Sequence, residues 1–196
     1  YDAAMAIIAP WSRETQPRWP GRWLDKTHWI GGLSRWDGRT PTTEGVDCTH
    51  DRCVTFAVGC GGHVFGAGDL AAAAEATPDW HWHVLGRIAD PDHPRVHHHG
   101  WVEDPWPWLC HATVVAGPNG GGLVGEVAAA GARFVALPQP RPYREHEDMA
   151  LRLGEAGALV PGPMRPKAAD WPVLLDAALE LDADAWELLH DGKGAV

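Results

Sequence analysis

The sequence predicts an α/β protein whose parallel sheet is covered by helices on both faces. Apolar runs of strand length alternate with stretches of helix length from residue 53 onward. Most of these runs are continuously apolar, which is typical of parallel strands buried on both faces. Because crossovers between parallel strands are right-handed, this order predicts a doubly wound, Rossmann-like layer sandwich.

Composition favours a folded domain without a nucleic-acid partner. The chain has 196 residues, of which 45% are hydrophobic and 21% charged, and its formal net charge is −10. Phosphate backbones and anionic membrane surfaces need a basic face, which this balance disfavours. Four cysteines are too few for a disulfide framework, and no apolar run has the ~20 residues of a membrane span, so we expect a cytoplasmic protein. The absence of an initiator Met suggests a piece of a longer protein.

Residues 1–50 differ from the rest and are interpreted as the end of a preceding domain plus a linker. Short strands are predicted at 5–9 and 27–30, with a Trp/Pro/Arg-rich stretch at 11–23 between them and a polar loop at 37–52. Five of the twelve tryptophans fall within the first 36 residues. Either they pack on a part that precedes this chain or they fasten the linker to the main domain. Residues 51–196 are predicted to form that domain.

The main domain is predicted to alternate strands and helices along its whole length. Strands are predicted at 54–58, 80–85, 96–102, 113–116, 133–137 and 158–160. Helices are predicted at 69–77, 104–110, 121–130, 144–155, 172–181 and 183–190. Pro78 ends the first helix and Gly131 the third, as expected of residues that stop helices.

Two glycine clusters follow predicted strands, at Gly59–Gly62 and Gly117–Gly122. Bare backbone N–H groups at strand-to-helix turns bind phosphate, and a helix N-terminus adds favourable charge. No G-x-x-x-x-G-K-[ST] loop is present, which excludes a Walker-type nucleotidase. The first cluster departs from a dinucleotide fingerprint because Val64 stands at the third glycine position.

The longer pattern is more specific. It runs from the strand Val114–Ala116 through the second glycine cluster to a helix bearing Glu126, then Ala128-Ala129-Ala130-Gly131. A strand ending in Pro138 and the segment Glu145-His146 follow, before Ala156-Gly157-Ala158. This order resembles the donor-binding, C-terminal half of GT-B-fold glycosyltransferases, most closely the peptidoglycan N-acetylglucosaminyltransferase type. The resemblance covers roughly residues 28–160.

The resemblance implies a role for each matching position. Glu126 would accept hydrogen bonds from the ribose hydroxyls, and Arg35 would approach the phosphates. The turn at Asn119 and Gly120, Gly121 and Gly122 would face the diphosphate, together with Gly61, Gly62 and His63. Val102 begins the loop that would hold the base. Glu145 and His146 would read the sugar hydroxyls, although His146 replaces the family's usual Gln and leaves the sugar's identity open.

The implied reaction transfers a hexose from a nucleotide sugar to an unknown acceptor with inversion. The donor is UDP-linked by resemblance, with thymidine an alternative, and no metal or other cofactor is required. The acceptor site and base would come from an N-terminal GT-B domain or a partner chain, which could also bring the protein to a membrane surface. Two other functions fit: the nucleotide-sugar-binding subunit of a two-chain transferase, and a UDP-sugar epimerase of the same fold.

Cysteine and histidine density invites a metal site, but the spacing does not support one. Cys48 and Cys53 are separated by four residues and Cys53 and Cys60 by six, rather than by the two of a zinc knuckle. His81 and His83 are predicted to share one face of a strand, with Trp80 and Trp82 on the other. The sequence therefore predicts no metal site.

Overall fold

The computed structural model describes residues 1–13 and 20–188. These residues form a six-stranded parallel sheet and the elements around it. The strand order is β5-β4-β3-β6-β7-β8. These strands are β3 (Cys53–Ala57), β4 (His81–Leu85), β5 (Val96–Gly100), β6 (Val114–Gly117), β7 (Phe134–Ala136) and β8 (Val160–Pro161). The α/β, doubly wound fold predicted from the sequence is confirmed.

The remaining elements lie around this sheet or before it. The α-helices are α1 (Gly21–Leu24), α2 (Ala67–Ala76), α3 (Trp106–His111), α4 (Gly121–Ala130), α5 (Glu145–Glu155) and α6 (Asp170–Leu179). Short 3-10 helices span Pro142–Arg144 and Ala183–Leu188. Strands β1 (Ile7–Ala9) and β2 (Thr27–Trp29) form a separate two-stranded parallel sheet. No described helix combines the length and the apolar character needed to cross a bilayer.

Two apolar clusters cover the two faces of the sheet. One joins side chains of β3 and β4 to α2 and α6, with Phe56, Trp82 and Trp171 at its centre. The other joins β6 and β7 to α3, α4 and α5, with Phe134 and Val127 buried between them. Both faces are therefore covered, which explains why most strand residues are continuously apolar.

Several predicted boundaries differ from the observed ones. Helix α2 begins at residue 67 rather than 69, and β8 is displaced by about two residues because only a short edge segment pairs with β7. The helix predicted at 183–190 is a 3-10 turn through residue 188, and its last two positions lie outside the described residues. Helix α1 was not predicted within the Trp/Pro/Arg-rich stretch, of which residues 14–19 are not described.

The sheet order places a switch point between β3 and β6. From β3 the chain proceeds outward through β4 to β5, and from β6 it proceeds in the opposite direction through β7 to β8. The carboxyl ends of β3 and β6 therefore border a crevice, which is where open α/β sheets bind their ligands. Gly117 sits at this point because a Cβ there would overlap the Ala57 carbonyl oxygen at the end of β3.

Candidate functional site

The second glycine cluster lies at the switch point and opens helix α4. Gly120 is the N-cap, no side chain caps the helix, and no acidic residue occupies its first turn. The first N–H groups of a helix have no partner within the helix, and its N-terminus carries partial positive charge. Gly121 and Gly122 have no neighbouring atom that a Cβ would meet, so their backbone is open to approach. This arrangement suits a bound anion.

Glu126 lies in the second turn of α4 and pairs with Arg35. The Arg35 Nε donates to Glu126 Oε1 over 2.8 Å, and the Glu126 side chain is 17% exposed. Burial raises the pKa of Glu126, while the charge and hydrogen bond of Arg35 oppose that rise. Arg35 binds Oε1 of Glu126, which leaves the lone pairs of Oε2 for a ligand hydroxyl.

The segment that carries Arg35 packs directly on α4. A Cβ on Gly125 would overlap the Leu33 carbonyl oxygen, so the helix and this segment approach within backbone contact. Residues 31–40, called segment 31–40 below, thus line the site, although they precede the main domain predicted at residues 51–196. The sequence pattern could place Arg35 near α4 only through the resemblance, since 91 residues separate Arg35 from Glu126.

The first glycine cluster follows β3 and lies in the loop between that strand and α2, as the predicted boundaries imply. Helix α2 starts only at Ala67, where the Gly66 N–H donates to Asp69 Oδ2 over 2.8 Å. Gly61 and Gly62 lie in the preceding loop, where their carbonyl oxygens accept hydrogen bonds from the Arg141 guanidinium, at 3.0 Å for Gly62. The loop lacks the helix-dipole contribution and instead has an arginine bound to it.

His63 is directed toward the loop that follows β4. Its Nε2 lies 3.4 Å from the Arg87 carbonyl oxygen, and its Nδ1 is buried without a hydrogen-bond partner among the described residues. A carbonyl oxygen can only accept a hydrogen bond, so in the neutral ring Nε2 carries the proton and Nδ1 carries a lone pair. The predicted contact of His63 with the diphosphate is not tested by these distances and stays a prediction.

Asn119 and His146 join the second glycine cluster to α5. The Asn119 Nδ2 donates to the His146 carbonyl oxygen over 2.7 Å, and both residues are buried. The Gln139 N–H donates to His146 Nδ1 over 3.2 Å, which leaves the proton of a neutral ring on Nε2. Burial, with the nearby Arg141 charge, lowers the pKa of His146. Nε2 lies beside Gly120, 3.6 Å from where a Cβ would stand.

The backbone before α5 is unusual. Tyr143 and Arg144 both have φ of 59°, in the left-handed region that residues with a Cβ rarely occupy. Strain of this kind is concentrated at functional sites. It directs the chain so that Glu145 is exposed at the first turn of α5 while His146 is buried. The two residues predicted as a pair therefore present different surfaces.

The loop that begins at Val102 is fixed by the same segment 31–40. Arg39 binds the Asp104 carboxylate through both terminal nitrogens, at 3.0 and 2.6 Å, and this hydrogen bonding lowers the pKa of Asp104. The guanidinium carbons of Arg35 and Arg39 lie 4.4 and 4.5 Å from the centre of the Trp36 ring. Val102 itself is half-buried.

Three residues that hold the site together were not predicted. Arg39 fixes Asp104, Arg141 binds the first glycine loop, and the buried Gln139 accepts the Val64 N–H over 3.1 Å. Gln139 also donates to the Met164 carbonyl oxygen, so it links three loops at the carboxyl edge. A glutamine after a strand-ending proline was the available signal, but such a pattern is common in loops.

A second polar region lies away from the switch point, on the face of β4 and β5 opposite Trp82. We call it the histidine face, and it consists of His81, His83, His97 and His99. Parallel register pairs His83 with His97, and His83 Nδ1 lies 3.1 Å from His99 Nε2. Burial and the neighbouring histidines lower the pKa of His83 to about 3 and also lower the pKa of His81 and His99.

Comparison with solved structures identifies chains with the same fold. The glycotransferase of kitacinnamycin superposes with a TM-score of 0.69 at 18% identity, covering 94% of this chain and 49% of its own. Arabidopsis thaliana UGT89C1 complexed with UDP-L-rhamnose gives 0.65 at 16% identity, covering 95% and 52%. Glycosyltransferase VinC in complex with dTDP gives 0.56 at 15% identity, covering 85% and 45%. No protein-family model and no curated protein matches the sequence.

These matches establish the fold. The chain has the architecture of the C-terminal, Rossmann-like half of a GT-B glycosyltransferase. It spans about half the length of the structures it resembles. The expected resemblance to GT-B enzymes is confirmed at the level of fold, whereas the closer assignment to the peptidoglycan type stays a prediction.

Proposed function

We propose that this chain is the donor-binding half of a glycosyltransferase and that it binds a nucleoside diphosphate sugar at the switch point. The observation that carries the proposal is the Glu126–Arg35 pair on α4, a helix whose N-terminus has no side-chain cap. A carboxylate suits a vicinal diol, and a helix N-terminus with glycine N–H groups suits a diphosphate. Two of the structures with this fold hold UDP-L-rhamnose and dTDP, which supports a nucleoside diphosphate.

Each part of the donor then has a place. The diphosphate lies against the N–H groups of Gly120 to Gly122, with Arg35 as its charge partner. The ribose hydroxyls bind Glu126 Oε2, and the base lies against the loop from Val102 to Pro105. The sugar faces Glu145 and the Nε2–H of His146. Uridine and a hexose are our first choices for base and sugar.

The reaction we infer is a single displacement with inversion. The acceptor oxygen attacks the anomeric carbon and loses its proton to a base, while the bond from that carbon to the diphosphate breaks. The N–H groups at α4 stabilise the charge on the departing diphosphate. The base and the acceptor site belong to the other half of the enzyme, whether in the same polypeptide or in a partner chain.

Calorimetric titration with UDP, dTDP, GDP and NAD tests the donor site. We expect UDP or dTDP to bind, and Glu126→Ala to weaken binding by about 1.5–3 kcal/mol through loss of a charged hydrogen bond. Glu180→Ala is the matched control, because Glu180 is an exposed carboxylate at the end of α6, which packs on the opposite face of the sheet. NAD binding, or equal loss in both variants, would contradict the proposal.

Product analysis separates the proposed reaction from epimerisation. With UDP-N-acetylglucosamine and other UDP-sugars, a transferase completed by its other half releases UDP. An epimerase instead returns an isomeric UDP-sugar without free UDP. Preference for UDP-N-acetylglucosamine over the other donors would support the closer assignment to the peptidoglycan type.

A further inference from the structure

The histidine face lies beside two cysteines that the donor site does not use. Cys53 on β3 pairs with His81 on β4, and residues paired in parallel register point to the same face. His83 therefore shares this face with Cys53, and the segment before β3 brings Cys48 alongside. The Trp108 ring of α3 lies 4.9 Å from the His83 ring and covers the cluster.

Cys48, Cys53 and His83 form a compact set of donor atoms. One atom from each, the two Sγ and a ring nitrogen, lies within 4.8 Å of the other two. A tetrahedral zinc site with bonds of about 2.0–2.3 Å places its donor atoms roughly 3.5–3.8 Å apart. The three side chains therefore need to approach by about 1 Å or less to surround such an ion.

His83 is oriented as a metal-binding histidine would be. It is 2% exposed, and its Nε2 is buried with no hydrogen-bond partner among the described residues. Its other nitrogen lies 3.1 Å from His99, which fixes the ring. Ligating histidines are commonly held in this way through the nitrogen that does not bind the metal. An unpaired buried nitrogen is costly, and a bound cation would remove that cost.

We propose that Cys48, Cys53 and His83 bind a zinc-type divalent cation, with Nε2 of His83 and the two sulfurs as ligands. Thiolate and imidazole together favour zinc over magnesium or calcium, which prefer oxygen. Both thiols release their protons when the metal binds, so the bound ligands are two thiolates and a neutral imidazole. A fourth position is open to water.

The ion would act as a staple rather than as a catalyst. Cys48 lies in the loop before the sheet, Cys53 begins β3, and His83 lies within β4. A metal joining them fastens the end of the N-terminal region to two inner strands of the sheet. Metal that binds the folded chain but not the unfolded one raises the free energy of unfolding.

A neighbouring trio offers a built-in comparison. His50, His81 and His97 also bring one nitrogen each within 4.8 Å of the others, but His50 and His97 are exposed. This trio contains no sulfur. An ion bound there would give no thiolate signal, so spectroscopy distinguishes the two positions.

Cobalt(II) titration of the reduced full chain, with free thiols counted beforehand, tests the proposal. We expect an equimolar complex with a thiolate-to-cobalt charge-transfer band and visible bands of tetrahedral cobalt, displaced by Zn²⁺. Cys48→Ser removes one of the two cobalt–thiolate bonds, so it should lower the intensity of that band and weaken binding more than the about 10–100-fold that follows loss of a residue that merely orients a ligand. Cys48 is half-buried, so this variant avoids disturbing the fully buried Cys53.

Cys60→Ser is the matched control, since Cys60 is exposed and lies outside the cluster. Its cobalt spectrum should equal that of the unmodified chain, and Zn²⁺ should raise the melting temperature of both. Three results would overturn the proposal: no thiolate band although the thiols are free, equal loss in Cys60→Ser and Cys48→Ser, or visible bands without a thiolate band that disappear in His97→Ala.

Discussion

The glycine-loop edge at β3 and β6 and the histidine face of β4 and β5 are built on opposite principles. The first depends on the absence of side chains. Glycines leave the N–H groups at the start of α4 open, and Gly125 lets segment 31–40 pack against that helix. The second depends on side chains that neighbouring strands place side by side. In the first region the structure depends on how closely backbone segments pack. In the second, stability depends on whether histidines are protonated.

The largest effect should come from adding a single methyl group to the first region. Gly125→Ala places a Cβ on the Leu33 carbonyl oxygen and forces segment 31–40 away from α4. We expect a loss of about 3 kcal/mol in the free energy of unfolding and weaker nucleotide binding. Urea denaturation and calorimetry measure both.

Gly68→Ala is the control for that variant. Gly68 also lies in a helix, but a Cβ there meets nothing within 4 Å. Alanine should therefore stabilise α2 by about 0.5–1 kcal/mol, since glycine is the poorer helix former. A neutral Gly125→Ala would mean that the close approach to Leu33 does not hold the segment in place.

Acid should destabilise the second region. The pKa of His83 falls from 6.5 to about 3 on folding, so the unfolded chain binds more protons and stability falls as the pH drops below 6.5. We expect a loss of about 1 kcal/mol between pH 8 and pH 5.5, less than the full shift gives because pH 5.5 lies only about one unit below the ordinary histidine pKa.

Urea midpoints measured with a chelator present test this, so that no metal competes for the ring. His83→Gln should flatten the profile, whereas the exposed His28→Gln should leave it unchanged. A profile of the same steepness in all three proteins would show that His83 is not the source of the acid sensitivity.

His146 is the residue of the glycine-loop region that we expect to contact the sugar of the donor. Its buried ring presents Nε2–H beside Gly120, and glutamine would restore the residue usual in the resembled family. We expect His146→Gln to weaken UDP-sugar binding by about 1 kcal/mol and to leave UDP unchanged, because only the sugar meets this group. His28→Gln is again the control, and equal weakening of UDP would remove His146 from the sugar subsite.

The smallest effect should come from Arg39. Its pair with Asp104 is partly exposed to water, so Arg39→Gln should weaken nucleotide binding by a factor of about two through a looser base loop. Arg22→Gln is closely matched, because Arg22 pairs with Asp2 and lies 4.8 Å from the centre of the Trp23 ring. That variant should leave nucleotide binding unaltered. Titration of both against UDP decides whether the loop needs Arg39.

What the sequence by itself determined is local. Apolar runs, glycine clusters and helix stops depend on a few neighbouring residues, so α4 was predicted at its observed limits, 121–130. The glycine cluster at its N-terminus was equally visible. Helix α2 was placed two residues late because a glycine can cap a helix without leaving a side-chain signal.

Only the tertiary structure decided which distant residues meet. Arg35 reaches Glu126, Arg141 binds the first glycine loop, and His83 lies beside Cys53 through strand register. Sequence spacing gave no sign that Cys48, Cys53 and His83 lie together, because His83 comes from another strand. Such contacts follow from how strands pair and helices cross, which depends on packing over the whole sheet rather than on any short stretch of chain.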